Sequence, residues 1–214
     1  MKHIFTVRVD NYLPEICELT LPTIERYARK IGAEFTVISE RKFPDFPPTY
    51  EKMQVYELGA NNDWNILIDA DIAIGPHMYD VTRMLAPNQI GAWMSYEPWI
   101  TIKEGDEHIR PGNQAIATCF VAVPHACHEA WKPLPFTSKE ALERMKRQFV
   151  VDEYCMSRNI VEHQFQLSGI SLPGVEQHLL HCNVTTENMS REKAVDRLKY
   201  FLNMQDINAQ HIGA

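Results

Sequence analysis

Apolar positions along the chain follow two rhythms. Short runs rich in Ile, Val, Phe and Leu alternate with stretches in which apolar residues return every third or fourth position, the order of an α/β domain whose helices flank a sheet. Strands are predicted over residues 3–9, 34–39, 65–68, 90–95 and 117–123, with β-like pieces at 164–168 and 178–181. Pro14 suits the first turn of a helix in which Ile16, Thr20, Ile24, Tyr27 and Ile31 share one face until Gly32 ends it. Pro22 lies inside that helix and should kink or divide it. Further helices are predicted over residues 50–60, 78–85 and 152–159, and from the capping box Thr137-Ser138-Lys139-Glu140 to about residue 149. A last one starts at Ser190 and puts Val195, Leu198, Phe201 and Leu202 on one face. Two stretches fit neither rhythm: Phe43-Pro44-Asp45-Phe46-Pro47-Pro48, which must be a loop, and residues 96–113, long enough to be a functional loop. No repeat or interdomain linker interrupts the pattern, so residues 1–214 are expected to form a single domain.

Composition narrows the function classes. The chain has 21 Lys and Arg against 28 Asp and Glu, a formal charge of −7 with no basic block, which argues against a partner bound through a phosphate backbone and so against nucleic acid. No apolar stretch approaches the roughly 20 residues that span a bilayer, so no membrane span is expected. The first ten residues become charged too early for a secretory signal, and a cytoplasmic location is the expectation. Five cysteines are scattered without a CxxC, which points to reduced, mostly buried thiols.

The segment richest in chemistry is Asp63-Trp64-Asn65-Ile66-Leu67-Ile68-Asp69-Ala70-Asp71-Ile72. An apolar strand delivers two carboxylates at the sheet end where α/β proteins place ligands. On an extended chain residues i and i+2 point the same way, so Asp69 and Asp71 could face one site. Carboxylates that close resist joint ionisation unless a cation lies between them, and a hard divalent ion suits them. Alternatively, the pair caps a helix after Pro76 or sits solvated in a turn.

Together with Tyr50-Glu51-Lys52 before it and Met78-Tyr79-Asp80-Val81 after it, this segment resembles the nucleotide-sugar half of GT-A glycosyltransferases, especially the glycogenin-like and lipopolysaccharide galactosyltransferase-like families. The resemblance covers the first half of the chain well and the second in outline. It implies a GT-A fold, a Rossmann-like mixed sheet flanked by helices, with a nucleotide-sugar half at about residues 1–100 and an acceptor half at about 101–214. It further implies Mn²⁺ or Mg²⁺ as cofactor and a nucleotide-sugar donor, most often a UDP-sugar. The acceptor is a glycan, a lipid-linked molecule or a protein, and the resemblance favours retention of configuration.

Carried over residue by residue, the resemblance makes Asp71 the principal metal ligand and Asp69 a metal and ribose contact. His181 becomes the third ligand, with His178 the competing choice. Titration of such a ligand is expected near 6.5. The family's glycine- and lysine-containing continuation after that His is absent, leaving Lys193, Lys52 or Arg8 for the diphosphate. Thr6 and Val7 match the strand that holds the nucleoside, where a backbone edge could read the base, Tyr12 could stack on it and Asp10 could reach the ribose. Tyr12 and Leu13 fit equally well as a staple of the following helix. The strand that would line the sugar has its counterpart in residues 117–123, with Phe120 in place of Gly, or in Asn113-Gln114-Ala115. Val150-Val151-Asp152-Glu153-Tyr154 matches the acidic step before a helix that faces the donor sugar, with Asp152 as a sugar or acceptor hydroxyl contact or base and also a fitting helix N-cap.

Other readings are weaker. His125-Ala126-Cys127-His128 has no second ligand cluster nearby in sequence. A haloacid-dehalogenase-like phosphatase would use Asp69 as nucleophile, but its motif lies near the N-terminus and continues to Thr, whereas residue 73 is Ala. A pyrophosphorylase needs a Gly-rich N-terminal loop, and residues 1–31 contain no Gly. A non-catalytic sugar-nucleotide or glycan-binding module would keep the fold and lose turnover.

Overall fold

Adjacent residues in the central strands are buried on both sides. Ile4 and Phe5, Ile66 and Leu67, and Phe120 and Val121 are all inaccessible to solvent, and within each pair one member joins each of two separate cores. Such strands need cover on both faces, so the sheet must be the middle layer of three. The computed structural model describes residues 1–95, 115–145, 148–170, 178–182 and 190–212. Its strands are β1 (Lys2–Val7), β2 (Ala33–Ile38), β3 (Trp64–Ile68), β4 (Ile72–Ile74), β5 (Gln89–Ser95), β6 (Ala115–Pro124), β7 (Gln166–Gly169) and β8 (Leu179–His181). Its helices are α1 (Pro14–Ile31), α2 (Val55–Leu58), α3 (Ser138–Glu143), α4 (Val151–Glu162) and α5 (Arg191–Ile212).

The main sheet runs in the order β2-β1-β3-β6-β5-β7. β1 is parallel to β2 and β3, while β6 is antiparallel to β3 and β5. β4 and β8 form a separate antiparallel ribbon with Ile72 opposite His181. One face of the sheet packs on Tyr50, Met53, Trp131 and Tyr154, the other on Ile24, Tyr27 and Ala28 of α1. Each of these large apolar side chains contributes about 1.5–3 kcal/mol by leaving water. A third cluster joins Leu13 and Ile16 to Ala194 and Leu198 of α5 behind Ala73 of β4, with Val195, Phe201 and Leu202 packed against it as the helical spacing requires.

Several elements depart from expectation. α1 is not divided at Pro22: both Pro22 and Glu18, whose carbonyl loses its partner, are exposed, so water can take the freed oxygen. Residues 50–60 form a 3₁₀ segment (Pro48–Gln54) and only a four-residue α2. The helix expected over 78–85 shrinks to a 3₁₀ turn (Val81–Met84) capped by the Asp80 side chain, which accepts from Thr82 N. β4 was not anticipated. The Thr137/Glu140 capping box is present, but α3 ends at Glu143, short of residue 149. Residues 96–113, with the Asn113-Gln114 alternative, lie outside the described residues.

Candidate functional site

The two aspartates converge through a turn and not along an extended strand. Asp69 N donates to Cys119 O (2.8 Å), carrying the β3–β6 ladder one residue further, and Ile72 N then donates back to Asp69 O (3.0 Å). Thr20 Oγ1 donates to Ala70 O (2.5 Å) and Cys182 N to Asp71 O (3.0 Å), so the turn is held from α1 and from the end of β8. The β4–β8 pairing brings His181 beside Asp71, with Nε2 3.4 Å from Oδ1. One ligand atom each from Asp69, Asp71 and His181 lies within 4.8 Å of the others, a set of two hard oxygens and one nitrogen that suits a divalent ion. His178 points elsewhere: its carbonyl accepts from Gly75 N, its ring packs edge-on to His77, and its Nδ1 is buried without a partner.

Asp69 also belongs to a second cluster. The 3₁₀ segment buries two neighbouring charges and satisfies each on its own side. Glu51 accepts from Arg41 Nε (2.8 Å), Lys42 N (2.8 Å) and Gln54 Nε2 (2.8 Å). Lys52 Nζ reaches Asp69 Oδ1 (2.7 Å), Asp152 Oδ2 (2.9 Å) and Thr118 Oγ1 (3.1 Å), and Thr118 donates to Asp152 (2.5 Å). Burial alone would strip the Lys52 ammonium of its proton, yet Asp152 and Asp69 outweigh it and hold the group well above the usual lysine range. Asp152 is therefore spent on Lys52 and Thr118 and does not cap α4, whose N-cap is Val150.

The remaining candidates separate. Tyr12, Lys52, Asp69 and Asp71 line both of two adjoining clefts. The smaller is closed by Val7, Val9, Pro48 and Ala70. Tyr12 donates to Asp71 Oδ2 (3.2 Å). Thr6 is fully buried, and Asp10 is exposed and paired with Arg41 (2.7 Å); neither lines a cleft. The larger cleft adds Glu153, the second residue of the acidic step, together with Trp93, Phe149 and Arg197, which the sequence reading missed. Glu153 follows Asp152 on the same helical turn, and burial, reinforced by Asp152, pushes its carboxyl up to about 8. Burial lowers the affinity of His181 for its proton, but hydrogen bonds to Asp71 and Cys119 prevail and carry it up to about 10, above the 6.5 of a free imidazole. Burial, opposed by Lys52 and reinforced by Asp71, raises Asp69 above the ordinary carboxylate range. His125 and His128 belong to a 3₁₀ segment, with His128 Nε2 on Tyr56 O (2.9 Å).

No family model matches the sequence, and neither does any curated protein. Among solved structures, the chain is similar to a glycosyltransferase involved in glycosylation of the major capsid of PBCV-1, with a TM-score of 0.53 and 12% identity over 92% of this chain and 98% of that one. It is also similar to the bifunctional glycosyltransferase WbbM, with a TM-score of 0.52 and 12% identity over 81% of this chain and 39% of WbbM. At such identities the likeness concerns the fold: a GT-A-like mixed α/β architecture, as the resemblance of the first half implied. Among the described residues no helix is long and apolar enough to cross a membrane.

Proposed function

We propose that the chain is a metal-dependent glycosyltransferase that takes a sugar from a nucleoside diphosphate donor, with UDP the first candidate, and passes it to a glycan, lipid-linked or protein acceptor. The observation that carries this reading is the convergence of Asp69, Asp71 and His181 beside two adjoining clefts at the end of a GT-A-like sheet. These three residues would hold Mn²⁺ or Mg²⁺, which supplies Lewis-acid stabilisation of the charge that gathers on the leaving diphosphate.

The chain's own groups do the rest. The smaller cleft offers Val7, Val9 and Pro48 as apolar walls and Tyr12 as a ring for a base, while Asp69 lies within reach of a ribose. In the larger cleft Arg197 and Lys52 are the described basic side chains facing the ligand space. Arg197, which lines the cleft beside Asp71 and His181, is the candidate for the diphosphate in place of the lysine that the family's pattern would supply. Asp152 faces the sugar with one oxygen fixed by Lys52 and Thr118. Beside it Glu153 keeps its proton at neutral pH and can donate a hydrogen bond to a sugar hydroxyl. Residues 1–100 serve as the donor half and 101–214 as the acceptor half of one domain.

The test is a panel of sugar nucleotides assayed for hydrolysis with and without Mn²⁺, because transfer to water needs no known acceptor. Metal-dependent release of nucleoside diphosphate from one donor is expected. Metal-dependent hydrolysis of simple phosphomonoesters that disappears in Asp69→Asn would instead identify a phosphatase with Asp69 as nucleophile.

A further inference from the structure

Tyr12 has an unusual position for a side chain that is 37% exposed. Its ring lines both clefts, and its hydroxyl donates to Asp71 Oδ2 (3.2 Å) while Oδ1 of the same carboxylate faces His181 (3.4 Å). One residue thus lines the apolar cleft and touches a candidate metal ligand through its hydroxyl.

The loop that carries it is strained. Asp10 (φ 53°), Asn11 (φ 53°) and Leu13 (φ 35°) all adopt left-handed backbone, and among the described residues Gln164 is the one other non-glycine that does so. Each such residue costs about 1–2 kcal/mol and persists only where its surroundings hold it. The holding contacts are visible. Asp10 pairs with Arg41 (2.7 Å), Arg41 with the buried Glu51 (2.8 Å), Tyr12 N donates to Val9 O (3.1 Å), and Cys17 Sγ donates to Tyr12 O (3.2 Å). Leu13 is buried at the head of α1. Glu51 precedes Lys52, which grips Asp69, so the clamp that shapes the Tyr12 loop and the element that sets Asp69 are one piece of chain.

We infer that Tyr12 is a positioning residue that couples the nucleoside cleft to the metal-holding carboxylate: a base seated on the ring fixes the phenol on Oδ2 of Asp71 and leaves Oδ1 turned toward the ion. The inference rests on the proposed reading of the two clefts and goes beyond it, since each cleft could bind its ligand with no communication between them. Partners that orient a ligand in this way typically change metal affinity by about 10–100-fold when removed. Coupling of this kind is reciprocal, so the ion must tighten the nucleoside by the same factor.

Uridine is the probe, because it lacks the phosphates through which a donor would hold the ion. Free Mn²⁺ is measured by its EPR amplitude during titration of the protein, with and without saturating uridine. Uridine is expected to lower the Mn²⁺ dissociation constant about fivefold or more in the parent protein and to leave it unchanged in Tyr12→Phe. The variant keeps the ring, so its affinity for 5-fluorouridine without metal, read by ¹⁹F NMR, should stay within about twofold of the parent; a residue with a merely structural role would not separate these two readouts. Independent binding of Mn²⁺ and uridine to the parent, or coupling that survives in Tyr12→Phe, overturns the inference while leaving the site reading intact. Failure of the parent to bind Mn²⁺ or uridine at all overturns the site reading itself, and the inference with it.

Discussion

The two ends of the carboxylate cluster solve one electrostatic problem in different ways. At one end Asp152 and Asp69 share an ammonium that belongs to the chain, Lys52, with a hydroxyl from Thr118 completing the network. At the other, Asp71 meets His181 and the Tyr12 phenol. In the metal-free protein a proton on His181, held up to about 10, supplies the positive charge. The first end carries a permanent cation and the second an exchangeable one, a proton that a divalent ion can replace.

The sharpest way to break this contrast is to remove the permanent cation. Lys52→Met leaves the buried Asp152 and the half-buried Asp69 without their shared cation, and a stability loss of about 3 kcal/mol is expected in urea unfolding. Adding Asp152→Asn should restore part of it, because the repelling pair is then gone. A loss under about 1 kcal/mol would mean that water, and not Lys52, compensates Asp69 and Asp152.

The corresponding change at the other end should spare the fold and remove function. Asp71→Asn preserves size and keeps an oxygen for Tyr12, but donor turnover and Mn²⁺ affinity are expected to fall at least about a hundredfold. Metal-dependent hydrolysis near the parent rate in this variant would remove Asp71 from the site.

The contrast also explains what could be read from the sequence. Asp69 and Asp71 stand out because a strand and a two-residue spacing are local features, and the same holds for the capping box at Thr137. β1 and β3 were legible as strands from the apolar pair Ile4-Phe5 and the run Ile66-Leu67-Ile68. β4, by contrast, is three residues long and exists because β8 pairs with it; no propensity marks Ile72-Ala73-Ile74 as a strand apart from β3. His181 came from a resemblance, since only the β4–β8 register gives it a neighbour. Asp152 was singled out, yet its bond to Lys52 depends on α4 meeting the 3₁₀ segment across β6, a contact without sequence signature. Arg197 escaped notice for that reason: it is an ordinary charge on a helix until the cleft beside it is known.

Exchange of a proton for a metal ion gives the third prediction. The folded pKa of His181 is raised above its unfolded value, so its contribution to stability is complete below about 6.5 and is lost as pH rises through about 10. Metal binding requires the neutral imidazole. Within that window Mn²⁺ must displace one proton, and its affinity should rise by up to about tenfold per pH unit toward 10, not level off near 7 as a free imidazole would require. Titrations at pH 6.5, 7.5 and 8.5 should show the slope in the parent and its absence in His181→Ala. The same slope in His181→Ala would assign the exchanged proton to another group.

The smallest effect concerns Glu153, where the charge of Lys52 only partly offsets burial and Asp152. Its folded pKa of about 8 lies above the 4.5 of an unfolded glutamate, so the native state binds more protons between those values and stability falls as pH rises from about 4.5 to 8. Glu153→Gln resembles the protonated form and has no proton to lose. The variant should match the parent near pH 4.5 and exceed it progressively up to pH 8, with a gain held to about 1 kcal/mol because the group lines a cleft that water can enter. Melting temperatures of the two proteins measured from pH 5 to 9 test this. Diverging curves place a neutral carboxyl at the sugar-facing wall at physiological pH, whereas parallel curves mean that Glu153 is ionised there. In the latter case Lys52 would be balancing three carboxylates, and the permanent end of the cluster would itself carry net negative charge.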